Sequence, residues 1–122
     1  VKTIDSSAFN GCSSLTEISI PSSVITIKDS TFRNCCSLKK ISIPSSVTSI
    51  GSFVFYGCEL LEQISLPSSV ASIGKNSFSN CISLKRILIP SSLKTIESYL
   101  CSNCISLEQF HILLQQFVIM LF

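Results

Sequence analysis

Apolar positions recur along this chain with a period of 23 residues. Each period contains a Leu-x-x-Ile-x-Ile segment, as in residues 38–43, whose end alternates apolar and polar residues. This alternation predicts a half-buried strand, which the following proline ends because proline cannot donate to a parallel ladder. A Ser-Ser pair comes next and is typical of a turn. A Val-x-x-Ile segment, as in residues 47–50, then predicts a second short extended stretch.

A phenylalanine and a cysteine follow three residues apart, as in Phe55 and Cys58. This spacing suits one helical or 3₁₀ turn with both side chains facing inward. The residue before each cysteine is glycine or asparagine, the two residues that most readily take a left-handed conformation where such a turn ends. These residues are Gly11, Asn34, Gly57, Asn80 and Asn103.

One period cannot fold alone. Each buried apolar side chain contributes roughly 2 kcal/mol, whereas ordering the backbone costs roughly 1–2 kcal/mol per residue. Stacked periods share their buried faces, so the repeat predicts a solenoid with parallel strands spaced by about 4.8 Å. Residues 23 positions apart form columns of like side chains. Three of these columns are Phe9, Phe32, Phe55, Phe78 and Cys101; Leu15, Leu38, Leu61, Leu84 and Leu107; and Ile4, Ile27, Ile50, Ile73 and Ile96.

The pattern C-x-x-L-x-x-I-x-[IL]-P-S-S-[VL]-x-x-I-x-x-x-x-F-x-x-C resembles the treponemal-type, or BspA-like, leucine-rich repeat. The resemblance implies an α/β leucine-rich-repeat solenoid: a right-handed coil, mostly parallel β, with short helical or 3₁₀ turns. Five turns are expected over residues 1–112, with a parallel sheet on the concave side. Proteins with this repeat are common on bacterial surfaces and in protozoan parasites, and several resemble adhesins. The resemblance therefore implies a non-catalytic module at the cell surface that binds host or matrix proteins.

Composition and motif content argue against several classes of function. The chain has 122 residues, of which 46% are hydrophobic and 13% charged, and this balance predicts an ordered single domain. Its net charge of +2 is spread along the chain, unlike the basic footprint of a nucleic-acid-binding protein. The sequence contains no run of 18 or more apolar residues, so no membrane-spanning helix is predicted within it. Motifs for phosphate binding, metalloprotease chemistry or a catalytic triad are absent from the sequence, so no enzyme activity, cofactor or metal is predicted.

Seven cysteines cannot all pair internally. Five form one inward column, which predicts buried free thiols packing as small apolar groups. Cys101 and Cys104 form a C-x-x-C, a pattern also seen in redox and zinc sites, but the repeat places both in core columns. Cys36 lies outside the column and is the best candidate for an exposed thiol that forms an intermolecular disulfide.

Alternate strand residues are expected to point away from the core and form a polar face. The functional interpretation is a surface that binds a protein, since the concave sides of solenoids usually do so. The alternative is an ordinary solvated face whose charges maintain solubility. The candidate binding residues are Glu17, Lys39, Lys40, Gln63, Lys85, Arg86 and Gln109.

The repeat fails after Ile112, and residues 113–122 are predicted to form a hydrophobic C-terminal cap or dimerisation tail. Too many of its side chains are apolar for all to turn inward, so we expect a homodimer through this end. The self-association residues are Leu114, Phe117, Val118, Ile119, Met120, Leu121 and Phe122. Two alternatives remain open, a self-assembling structural repeat and an intracellular scaffold, the latter favoured by the free thiols. The start at Val1, within a repeat, indicates a fragment or a chain whose leader has been removed.

Overall fold

The computed structural model describes residues 1–97 and 99–112, with side-chain burial described through residue 108. Its backbone is a stack of coils, each contributing strands to two sides of the solenoid. The short-strand side contains β1 (Thr3–Ile4), β3 (Thr26–Ile27), β5 (Ser49–Ile50) and β7 (Ser72–Ile73). The long-strand side contains β2 (Glu17–Ser19), β4 (Lys40–Ser42), β6 (Gln63–Ser65), β8 (Arg86–Ile89) and β9 (Gln109–Ile112).

The strand register confirms the solenoid. Ile4 pairs with Ile27, and Ile27 pairs with Ile50, each one repeat further along the chain. All described strand pairs are parallel, as the alternating pattern and the proline stops predict. Because like residues stack on like residues, the middle coils bury the same columns, while first-coil members such as Phe9 and Leu15 are half-buried.

The long-strand side is divided into two sheets. Strands β2 and β4 form one sheet, and β6, β8 and β9 form the other. Strands β4 and β6 lie side by side, but within the described residues no ladder of hydrogen bonds joins them. The single parallel sheet implied by the resemblance is therefore interrupted between the second and third coils.

The third side of the solenoid, which we call the turn side, contains no helix among the described residues. The expectation of short helical or 3₁₀ segments is corrected to isolated turns, each closed by bonds such as Cys58 N–H to Phe55 C=O at 3.1 Å. The physical reason is that alternate amides donate to the next coil instead: Phe32 donates to Val54 C=O at 3.0 Å. An α-helix needs those amides to donate to carbonyls four residues earlier in its own segment.

Left-handed residues shape each turn. The predicted positions Gly11, Asn34, Gly57, Asn80 and Asn103 all have positive φ, between 59° and 75°. A second column, four residues earlier, has φ of 58° to 61°. Its positive φ was not predicted from the sequence because its residue types vary. Its members are Ser7, Ser30, Phe53, Asn76 and Tyr99.

The core lies between the three sides. Its most regular feature is the phenylalanine column, in which the rings of Phe9, Phe32, Phe55 and Phe78 stack with centroids 5.5, 5.7 and 5.5 Å apart. The leucine and isoleucine columns are buried around it through the middle coils. Gly74 packs so closely on the preceding coil that an added Cβ would overlap the backbone nitrogen of Ser52.

Candidate functional site

The predicted polar face is exposed on the long-strand side. Glu17, Lys40, Gln63 and Arg86 are the outward residues at the start of β2, β4, β6 and β8, and all four are exposed. They face outward because the isoleucine that follows each of them turns toward the core, and side chains alternate along a strand. The preceding row is also exposed: Thr16, Lys39, Glu62, Lys85 and Glu108.

A broad depression of about 820 Å³ lies over β4, β6 and β8. It spans the interruption between β4 and β6, and a neighbouring depression of about 450 Å³ continues over β2. The side chains that line the larger one include Lys39, Lys40, Glu62, Gln63, Ser65 and Arg86, with Leu88 at one end. The site is therefore open, and its lining combines charged and polar side chains with apolar ones such as Ile41 and Leu88.

The charges in this depression are not neutralised by ion pairs. Within the described residues, the one ion pair joins Lys28 to Asp5 at 3.5 Å, outside the depression. Lys39, Lys40 and Arg86 share the depression with the single carboxylate of Glu62. Its lining thus carries an excess of positive charge available to a ligand.

Gln109 falls partly outside this description. Its backbone pairs with Arg86 in register, so it continues the row of Gln63 and Arg86 along the solenoid, while its side chain lies outside the described residues. The predicted self-association residues, Leu114 and residues 117–122, also lie outside the described residues.

The cysteine column is inward, as predicted, and all seven cysteines are free. Each thiol from the second coil onward donates to the phenylalanine carbonyl of the preceding coil. Cys35 donates to Phe9 at 3.1 Å, and Cys81 donates to Phe55 at 3.1 Å; Cys58 and Cys104 do the same. The sequence indicated burial but gave no sign of this second, hydrogen-bonding role.

The buried thiols of Cys35, Cys58 and Cys81 are held protonated. Burial raises the pKa of the Cys35 thiol to about 11 and raises that of Cys81 well above its ordinary value. Since the thiolate is the nucleophile and the metal ligand, these cysteines pack and donate hydrogen bonds at neutral pH.

The two thiols of the C-x-x-C pair differ: their mutual hydrogen bond raises the pKa of the Cys101 thiol and lowers that of the Cys104 thiol. Cys101 and Cys104 are both buried, as their columns predict. A hydrogen bond to Cys104, together with burial, raises the pKa of the Cys101 thiol. No group of three or more metal-ligating side chains occurs within residues 1–97 and 99–112.

Cys36 is half-buried, in contrast to the fully buried Cys35 beside it. Its column is otherwise filled by Ser13, Glu59, Ile82 and Ile105, a mixture typical of a surface position. Formation of an intermolecular disulfide by Cys36 stays a prediction.

An aromatic cluster on the turn side was not predicted. The guanidinium of Arg33 lies 4.9 Å from the ring centroid of Phe53 and 4.7 Å from that of Tyr56. The Tyr56 hydroxyl accepts a hydrogen bond from Asn80 Nδ2 at 2.8 Å. Arg33 and Tyr56 occupy the same column on successive coils, so the 23-residue step could have predicted that these two side chains are neighbours. All three members of the cluster are half-buried.

Across the part of the chain that the structure describes, no helix is long and apolar enough to cross a membrane.

A family model described as the BspA type leucine rich repeat region matches residues 2–119 in six copies. No curated protein matches the chain. Several solved structures do, and the likeness extends over most of the chain.

The leucine rich repeat protein of T. pallidum, TpLRR, aligns with a TM-score of 0.84 at 35% identity, covering 88% of this chain and 50% of that protein. A leucine rich cell surface protein from Faecalibacterium prausnitzii aligns with a TM-score of 0.84 at 34% identity, covering 90% and 29% of the two chains. The pneumococcal vaccine antigen PcpA aligns with a TM-score of 0.84 at 28% identity, covering 90% and 27%. The chain thus spans half or less of the length of these relatives.

Proposed function

The chain belongs to the BspA-type leucine-rich repeat family, and we propose that it binds a protein partner through its long-strand side without catalysing a reaction. The observation that carries this proposal is the 820 Å³ depression lined by exposed charged and amide side chains with no ion pair among them. A solvated face selected only for solubility has no need of such a depression. Leucine-rich repeats and other solenoids commonly recognise partners on an extended strand surface.

A bulky substitution in the depression tests this function. Ser65→Trp places an indole over the β6 strand without changing any charge, because Ser65 is exposed and lines the depression. We expect binding to an array of purified extracellular-matrix and serum proteins to fall at least tenfold, the loss expected when a central contact is blocked. The matched control is Ser72→Trp, which changes another exposed strand serine, on the short-strand side. Equal binding by the two variants contradicts the proposal.

We place the protein at the cell surface, as an adhesin for host or matrix proteins. Support comes from the neighbours, one of which is described as a cell surface protein and another as a vaccine antigen. The competing location is a reducing compartment, consistent with seven free cysteines. Protease treatment of intact source cells distinguishes the two: we expect cleavage of this protein while a cytosolic marker survives. Cleavage that requires lysis contradicts surface exposure.

A further inference from the structure

The exposed cations of the long-strand side occur as two pairs. Lys39 and Lys40 stand at the start of β4, and Lys85 and Arg86 stand at the start of β8. Strand β6 lies between them, so the pairs occupy equivalent positions two coils apart. In the strand register, Gln63 pairs with Arg86 and stands in the same repeat position as Lys40.

The intervening coil presents no cation. Glu62 and Gln63 occupy its two equivalent positions, and both line the depression with Lys39, Lys40 and Arg86. A ligand with negative charge along its whole length would meet Glu62 at the centre, and like charges in close contact are unfavourable. The arrangement favours a ligand whose anionic groups are separated by a neutral stretch.

The spacing of the two pairs selects a ligand geometry. No ladder joins β4 to β6, but the same two coils are paired through β5 and β7, which keeps the coil spacing at about 4.8 Å. Two coil spacings separate the cation pairs by about 9.6 Å along the solenoid axis. A polyproline II segment repeats every three residues with a rise of about 3.1 Å per residue. Its side chains at positions three apart therefore lie on one face at about 9.3 Å, which matches the separation of the cation pairs.

We propose that the long-strand side recognises a polyproline II segment of a partner protein in which acidic residues occur every third position, one carboxylate contacting Lys39 and Lys40 and the next contacting Lys85 and Arg86. The neutral residues between them lie over Glu62 and Gln63. Such a segment crosses the strands and runs along the solenoid axis. This inference rests on the proposed function, since it names the partner chemistry of the same surface.

Fluorescent peptides test the spacing. The probe is a peptide of five Pro-Pro-Glu triplets, compared with a peptide of identical composition whose glutamates are contiguous. We expect the triplet peptide to bind the full chain about tenfold more tightly by fluorescence anisotropy, and its affinity to fall as salt increases, because exposed charge pairs are screened. Equal affinity of the two peptides overturns the proposed geometry.

Charge removal tests the residues. The double variant Lys40→Gln and Arg86→Gln should weaken binding of the triplet peptide by about tenfold, consistent with two exposed charge contacts. The matched control, Lys75→Gln with Lys94→Gln, removes two exposed lysines outside the depression and should leave the affinity unchanged. Equal effects of the two double variants show non-specific charge attraction and overturn the inference.

Three further outcomes show which of the two proposals, this inference or the proposed function, fails. If Ser65→Trp abolishes protein binding while the double variant Lys40→Gln and Arg86→Gln binds the same protein normally, the binding face stands and the acidic-segment inference fails. If heparin binds through Lys40 and Arg86 while neither peptide binds, the cation pairs recognise a polysaccharide and the inference also fails. If Ser65→Trp has no effect on any ligand, both proposals fail.

Discussion

At the scale of single residues, two columns of each turn have positive φ, and residue type predicts only one of them. The predicted column consists of glycine and asparagine, which tolerate positive φ better than other residues do. Phe53 and Tyr99 belong to the second and hold φ of 59° and 61°. A left-handed conformation costs an ordinary residue about 1–2 kcal/mol. The neighbouring coils impose this conformation whatever residue occupies the position.

Tyr99 offers a direct test of that cost. Tyr99 is 63% exposed, so its replacement removes little packing. We expect Tyr99→Asn to raise the free energy of unfolding by about 0.5–1 kcal/mol, because asparagine adopts positive φ more readily. Urea denaturation measures the change, and Tyr99→Phe, which keeps the unfavourable conformation, should leave stability unaltered. A lower stability for Tyr99→Asn would contradict this account.

At the scale of elements, each turn is stabilised mainly by its neighbours. Amides of the turn side donate to the following coil, as Phe55 does to Ser77 at 2.9 Å. The cysteine thiols donate in the opposite direction, to the preceding coil. Column spacing revealed that phenylalanine and cysteine face inward, yet it suggested a helical turn. The described residues contain single turns closed by bonds such as Cys58 N–H to Phe55 C=O but no helix, because the other amides donate to the next coil.

The thiol ladder predicts a specific loss of stability. Cys81→Ala removes the donor to Phe55 C=O and leaves a small cavity in the core. We expect it to lower the free energy of unfolding by about 1–3 kcal/mol, combining a lost hydrogen bond with lost burial. The control is Cys36→Ala at a half-buried position, expected to cost less than about 0.5 kcal/mol. Thermal and urea denaturation of both variants provide the comparison, and equal losses would refute a structural role for the ladder.

At the scale of the whole molecule, stacking converts a weak repeat into a continuous core and aligns exposed residues into a surface. No single coil contains the binding face: Lys40, Gln63 and Arg86 come from three coils. The depression exists only where β4, β6 and β8 lie together. Assembly of the molecule therefore creates the candidate site.

Self-association also belongs to this scale. We propose a homodimer through the C-terminal end, argued from the apolar sequence of residues 113–122. Deleting these residues should convert a dimer to a monomer in sedimentation velocity experiments, because the deletion removes Phe117, Met120 and their apolar neighbours. Ser65→Trp is the control and should leave the dimer intact. An unchanged oligomeric state after the deletion refutes the proposal.

The sequence by itself determined the period, the inward columns, the outward row from Glu17 to Arg86 and the left-handed glycines and asparagines. Each of these follows from residue type and a fixed 23-residue step. Tertiary structure alone decided the replacement of helices by isolated turns, the interruption between β4 and β6, and the contact of Arg33 with Phe53 and Tyr56. The physical reason is that these features depend on partners in an adjacent coil, about one repeat away, whose distance and orientation no local pattern specifies.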